Sequence, residues 1–224
     1  MPAMDITASV ATLRDRVDRV TTAAQRAPGS VTILGVTKTV PRETVLAAIA
    51  AGLTDIGENY LQEARSKYVG LPPVRTHFIG HVQTNKAKAI TALFDVVQSV
   101  DRLESGLALA KAAQTAGKAL RALVQINISP AERFGIAPAE APALARRLRD
   151  EGLVVDGVMA IGPLGGSVED AFALAAQTFA AVGGATLSLG MSGDWERAIA
   201  HGSTMIRIGS ALFGPRPARE GALA

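Results

Sequence analysis

Lys38 ends the run VTILGVTK (31–38), a β-branched segment that reads as a strand. Alternation places it on the same face as Leu34 and Val36, so an apolar column finishes in an amine. An amine against apolar walls loses solvation of its charged form, which lowers its pKa. As the neutral base it can condense with an aldehyde. The complementary chemistry lies in the last third of the chain. In ATLSLGMSGD (185–194), Thr186, Ser188, Gly190 and Ser192 alternate onto one face as a small polar stripe. Gly190 and Gly193 would let backbone N–H groups come close to a ligand. Arg207, near the end of a following strand, offers a planar fork of donors to phosphate oxygens. Gly209 and Ser210 then open a short helix over 210–213, whose first N–H groups have no acceptor within the helix.

These residues need a frame that brings them together. Strand-like runs recur at 31–37, 54–57, 75–79, 95–98, 121–128, 153–160, 185–189 and 204–208. Helical stretches near 41–51, 59–69, 84–93, 101–117, 137–150, 167–182 and 193–201 separate them. Asp101 with Glu104 reads as a helix cap and its reciprocal partner, and Gly52, Gly117, Gly152 and Gly202 stand where helices should stop. Strands alternating with helices imply parallel pairing, and eight strands suffice to close a barrel. The expected fold is therefore an α/β, single-domain (β/α)₈ TIM-type barrel. It spans 1–224, with its core over about 31–216 and an extra amphipathic helix over about 6–27. An open doubly wound sheet is the competing arrangement, but no G-x-G-x-x-G turn follows the first strand. In a barrel the functional groups gather on the loops after the strands, and phosphate binds after strands seven and eight. Lys38 would then face the Arg207–Ser210 cradle across the mouth. A ligand with an aldehyde at one end and a phosphate at the other would span the two; pyridoxal 5′-phosphate and a phosphosugar aldehyde both qualify.

Composition removes other classes. With no cysteine among 224 residues, disulfides, thiolate metal sites and a Cys nucleophile are excluded. A net charge of +3, with Lys and Arg scattered and only 4% aromatics, gives no nucleic-acid footprint. No apolar run is long enough to span a bilayer, and the first helix lacks the continuous apolar stretch of a secretory signal. A cytoplasmic location fits. His77 and His81 straddle a strand end and a loop, so no metal pair is expected; His77 reads as a satisfied barrel residue.

The segments VTKT, GENYLQEA, HFIGHVQTNK, VQSVDR, QINIS, VMAI, LSLGMSGDWERAI and GSTMIRIGSALFG occur in this order over about 31–216. Together they resemble the pyridoxal phosphate homeostasis protein family. The resemblance implies a barrel similar to the N-terminal domain of alanine racemase, with pyridoxal 5′-phosphate as cofactor and Lys38 as the Schiff-base lysine. It places the phosphate on Ser192, Arg207, Gly209 and Ser210, and Asn59 in the pocket lining. It implies a part in intracellular vitamin B6 homeostasis, as carrier or regulator, without catalytic turnover. One departure stands out: the family's usual Lys in the loop after QINIS is absent, and Arg133 lies nearest that place. A racemase needs a second base and a further β-domain. This chain ends soon after strand eight, and Tyr60 and Tyr68 both fall in or beside the helix after strand two. The alternatives are therefore a racemase using Lys38 as one base, or a Schiff-base aldolase acting on a phosphosugar. The expected partners are pyridoxal phosphate and other B6 vitamers, with no nucleic acid and no membrane. The recipient proteins, if any, are not readable, and a monomer is expected.

Overall fold

The structure is a computed structural model that describes residues 5–214. Its first element is α1 (Ile6–Ala23), capped by the Asp5 carboxylate, which accepts from the Thr7 and Ala8 N–H groups. Val10, Leu13 and Val17 point inward at helical spacing and bury the helix on the barrel wall, against the helices Arg42–Ala50, Trp195–Ala200 and Ser210–Phe213. The helix stops before the expected 27, because the chain turns left-handed at Gln25 (φ 58°).

Strands and helices then alternate. In order they are β1 (Thr32–Val36), α2 (Arg42–Ala50), β2 (Asp55–Glu58), α3 (Leu61–Lys67), β3 (Arg75–Phe78), α4 (Ala87–Leu93), β4 (Val96–Val100) and α5 (Leu103–Ala116). The second half runs β5 (Arg121–Ile126), α6 (Ala141–Asp150), β6 (Val154–Ala160), α7 (Val168–Val182), β7 (Thr186–Ser188), α8 (Trp195–Ala200), β8 (Met205–Ile208) and α9 (Ser210–Phe213). Each strand pairs in parallel with the next, and β8 pairs back onto β1 (Leu34 opposite Arg207), so the eight strands close a barrel. Closure is what sequence periodicity could not decide between barrel and open sheet.

Most strands are buried on both faces, β4 along its whole length, which explains their continuous apolar character. Inside the barrel the filling is mixed. Leu34 occupies the place that the absent side chain of Gly57 leaves open, but His77, Gln98, Ser188 and Arg207 are also interior and buried. Outside, Phe78, Phe94 and Tyr68 form one aromatic cluster, with Phe94 central at centroid distances of 5.2 and 5.6 Å. Among the described residues no helix is long and apolar enough to cross a membrane.

The element boundaries agree with the sequence expectation to within a few residues. One cap differs. The N-cap of α5 is Arg102, without a side-chain bond, and Asp101 lies a residue outside the helix. Its carboxylate sits beside the Arg102 guanidinium (3.4 Å) instead of capping, so the Asp101–Glu104 box does not form. The four helix-stopping glycines all adopt positive φ, as expected of left-handed helix ends. The expected loose tail from Pro217 onward lies outside the described residues.

Candidate functional site

One cavity of about 350 Å³ opens among the loops that follow the strands. Lys38, Asn59, Ser192, Arg207, Gly209 and Ser210, all singled out from sequence, line it together. Val36, Ile79, Met159 and Ile161 supply its apolar walls. The volume falls in the range of small-ligand clefts, roughly 300–1,000 Å³. Its lining contains two cations and no carboxylate, which suits an anionic ligand.

Lys38 follows directly on β1, and its two neighbours are both tied down. The Thr37 carbonyl accepts from Lys67 Nζ (2.6 Å), and the Thr39 N–H donates to Glu63 Oε2 (2.9 Å). Thr39 itself sits at φ 63°, an uncommon conformation for a β-branched residue, held by that bond. Behind them lies a buried ion cluster: Lys67 Nζ meets Glu58 Oε2 and Glu63 Oε2, each at 2.7 Å. Glu58 is fully buried and also accepts from Thr37 Oγ1 (3.0 Å) and from the Asn59 and Tyr60 N–H groups (2.8 and 3.2 Å). The Glu58 carboxylate thus holds the N–H groups of the two residues that lead into α3, whose N-cap is Tyr60. Asn59 lines the cavity; its Oδ1 is buried and accepts no hydrogen bond.

None of Thr37, Glu63 and Lys67 was singled out from sequence. The signal that could have found them is the i,i+4 pair Glu63–Lys67 on a short helix next to the Lys38 loop. Neither tyrosine lines the cavity: Tyr60 is half exposed, and Tyr68 is buried against Thr37 Oγ1 (3.0 Å). Burial, with Glu58 and Glu63 nearby, pushes the Tyr68 phenol far above its ordinary range.

Arg207 projects from β8 into the cavity floor and is only 5% exposed. Its Nη1 donates to the Ser188 carbonyl (2.8 Å) and Ser188 Oγ (2.9 Å), and its Nη2 to the Ala160 carbonyl (2.8 Å). Sequence reasoning gave it an open fork. In the barrel much of that fork is used to satisfy the buried guanidinium, and the cavity receives its charge and remaining N–H groups. Burial lowers its pKa to about 10, opposed by the charge of Asp194. Gly190, expected to admit a ligand, has another reason to lack a side chain. A Cβ there would lie 2.8 Å from Trp195 Cα, so this glycine lets α8 pack on β7. Gly193 meets nothing within 4 Å and does border the cavity. Arg133 is held by the Gly162 carbonyl (3.0 Å), away from the lining.

A parallel barrel with a cationic cavity at the carboxyl ends of its strands, and a Lys on the first of its loops, defines a class of small-ligand-binding (β/α)₈ domains. Within that class the chain belongs to the family of the alanine racemase N-terminal domain, whose model it matches over residues 9–217. It is 40% identical over 220 residues to the pyridoxal phosphate homeostasis protein of Pseudomonas aeruginosa, covering 94% of this chain and 96% of that protein. The Escherichia coli K12 protein of the same name is 37% identical over 227 residues, covering 95% and 97%. Among solved structures, PipY of Synechococcus elongatus with pyridoxal phosphate bound superposes with a TM-score of 0.78 at 31% identity, covering 93% of this chain and all of PipY. Alanine racemase of Bartonella henselae, at 15% identity and a TM-score of 0.74, shares the fold.

Proposed function

We propose that this protein is a cytoplasmic, single-barrel holder of pyridoxal 5′-phosphate, linked covalently to Lys38, that serves cofactor homeostasis without turning over a substrate. The observation that carries the reading is the convergence of Lys38, Asn59, Ser192, Arg207, Gly209 and Ser210 on one cavity with two cations and no acid. Relatives at 37–40% identity bear the pyridoxal phosphate homeostasis name, and PipY carries the cofactor, which supports the same ligand here.

The residues fit the group. Asn59 Oδ1 is a buried acceptor in want of a donor, and the cavity's positive charge matches a phosphate. When bound, pyridoxal phosphate supplies an aldehyde for reversible linkage to an amine and a dianionic anchor. Lys38 provides the amine, on a backbone fixed at both neighbouring residues. Ser192 and the N–H groups of Gly209 and Ser210 hold the phosphate at the rim. Arg207 keeps a positive charge against the ligand from below.

The same lining supports the absence of turnover. Catalysis with this cofactor requires groups that move protons on the substrate. Neither tyrosine borders the cavity, and no carboxylate does. The protein as purified, or after reconstitution with pyridoxal phosphate, is expected to be yellow. Lys38→Ala loses that colour, and Arg207→Gln retains the cofactor more weakly. A wild-type protein that cannot be reconstituted would overturn the proposal. Chiral analysis of alanine or serine after incubation tests the racemase alternative, and light scattering tests for a monomer.

A further inference from the structure

A chain of buried polar side chains crosses the barrel interior beneath the cavity. The Asp55 carboxylate on β2 meets His77 Nε2 (2.9 Å) on β3, and His77 Nδ1 meets Gln98 Nε2 (2.9 Å) on β4. Ser188 Oγ on β7 donates to Gln98 Oε1 (2.7 Å) and accepts from Arg207 Nη1 (2.9 Å). Asp55, His77, Gln98, Ser188 and Arg207 are all at most 5% exposed.

With the His77 ring neutral, as its burial favours, the two ends set one sense of donation through the chain. A carboxylate only accepts and a guanidinium only donates. His77 must therefore give its Nε2–H to Asp55, which leaves Nδ1 as an acceptor. Gln98 must present its NH₂ to that nitrogen and its carbonyl to Ser188. The Ser188 hydroxyl donates to Gln98 and keeps a lone pair for Arg207. A barrel interior is ordinarily filled by Val, Ile and Leu. Three polar side chains with one consistent sense of donation, joining a buried cation to a buried anion, are more than that filling needs.

We propose that Asp55, His77, Gln98 and Ser188 act as positioning residues: a polarised hydrogen-bonded column that sets the orientation of Arg207 against the bound ligand. The inference rests on the pyridoxal phosphate reading above. Apart from Arg207, no member of the column borders the cavity, so its effect on the ligand must pass through Arg207.

The test is a double-mutant cycle read by titration with pyridoxal phosphate, with a thermal melt of each variant alongside. Gln98→Met removes the central link at similar volume. It is expected to weaken binding about tenfold in the wild-type background and less than about twofold when Arg207 is already Gln. A merely structural role would instead lower the melting temperature and weaken binding equally in both backgrounds, which overturns the column. Ser188→Ala, which leaves Arg207 its bonds to two carbonyls, repeats the cycle if Gln98→Met does not fold. A second measurement needs no variant. The ¹⁵N shifts of the His77 ring should report a neutral ring protonated at Nε2, and should move when pyridoxal phosphate is added. Any other tautomer, or shifts indifferent to loading, refutes the proposal. If the wild type does not bind pyridoxal phosphate at all, the functional reading fails, which is a separate result.

Discussion

Replacing Lys67 by Met is the sharpest probe of how the Lys38 loop is held. The Lys67 side chain at 9% exposure faces Glu58 at 0%, so the pair is largely removed from solvent water. Removing one member of such a buried pair typically costs about 3–5 kcal/mol, because the partner charge is left uncompensated. Glu58 would keep three donors, from Thr37 Oγ1 and the Asn59 and Tyr60 N–H groups, which places this case at the lower end, about 3 kcal/mol. The Glu63 contact adds little, since that carboxylate is about a third exposed and its bond is partly screened by water. For a domain of this size, about 3 kcal/mol corresponds to a fall in Tm of roughly 6–12 °C. The Thr37 carbonyl also loses its 2.6 Å donor and keeps only the Val40 N–H (3.0 Å), so one of the ties beside Lys38 is weakened. Urea denaturation and a thermal melt measure the first effect, and absorbance titration with pyridoxal phosphate measures the second. Stability lowered by less than about 1 kcal/mol, as for an exposed pair, with unchanged cofactor uptake, would refute the argument that this cluster sets the loop.

Three further outcomes are expected. In Gly80→Ala the new Cβ would fall 2.0 Å from the Asn59 carbonyl oxygen, so the loop carrying Asn59 must move by more than about 1 Å. Affinity for pyridoxal phosphate should drop at least tenfold, and wild-type binding would show that Asn59 is not part of the site; a misplacement of this size is enough for such a loss. His77 is held neutral: burial, opposed by its Asp55 partner, keeps its pKa below the ordinary value. As pH falls below about 6.5 the unfolded chain takes up a proton that folded His77 refuses. Stability should then decline by about 1.4 kcal/mol per pH unit until the folded value is reached. Denaturation curves between pH 7 and 5 check this, and a slope unchanged in His77→Asn would contradict it. Tyr68 is raised by burial, so its contribution is complete below about pH 10 and is lost as pH rises beyond. Tyr68→Phe should remove that alkaline loss, at a cost near 1 kcal/mol for the bond to Thr37.

The order of strands and helices was written in local patterns, and local patterns are what a sequence exposes. Alternation at 31–38 placed Val36 and Lys38 toward one side, and both border the cavity. The glycines after α2, α5, α6 and α8 marked helix ends, because only a residue without a side chain takes positive φ freely. The six candidate residues come to one cavity because each lies near or beyond the end of a strand, and in a parallel barrel those ends meet. What failed locally was Asp101, where a sensible cap motif lost to a chain path that starts α5 one residue later.

Tertiary structure alone decided the rest. Strand closure depends on β8 reaching β1, a pairing between segments far apart in the chain. The fork of Arg207, read as open, closes on Ser188 and Ala160 because a buried guanidinium must satisfy its donors with whatever the fold brings near. His77, Gln98 and Ser188 carry no mutual signal in sequence. They come from three strands and become one hydrogen-bonded column only when the barrel wraps them around a common axis. The sequence by itself determined which residues stand at strand ends. The fold decided which of them share a cavity, and what holds them there, since polar partners are chosen by distance in space.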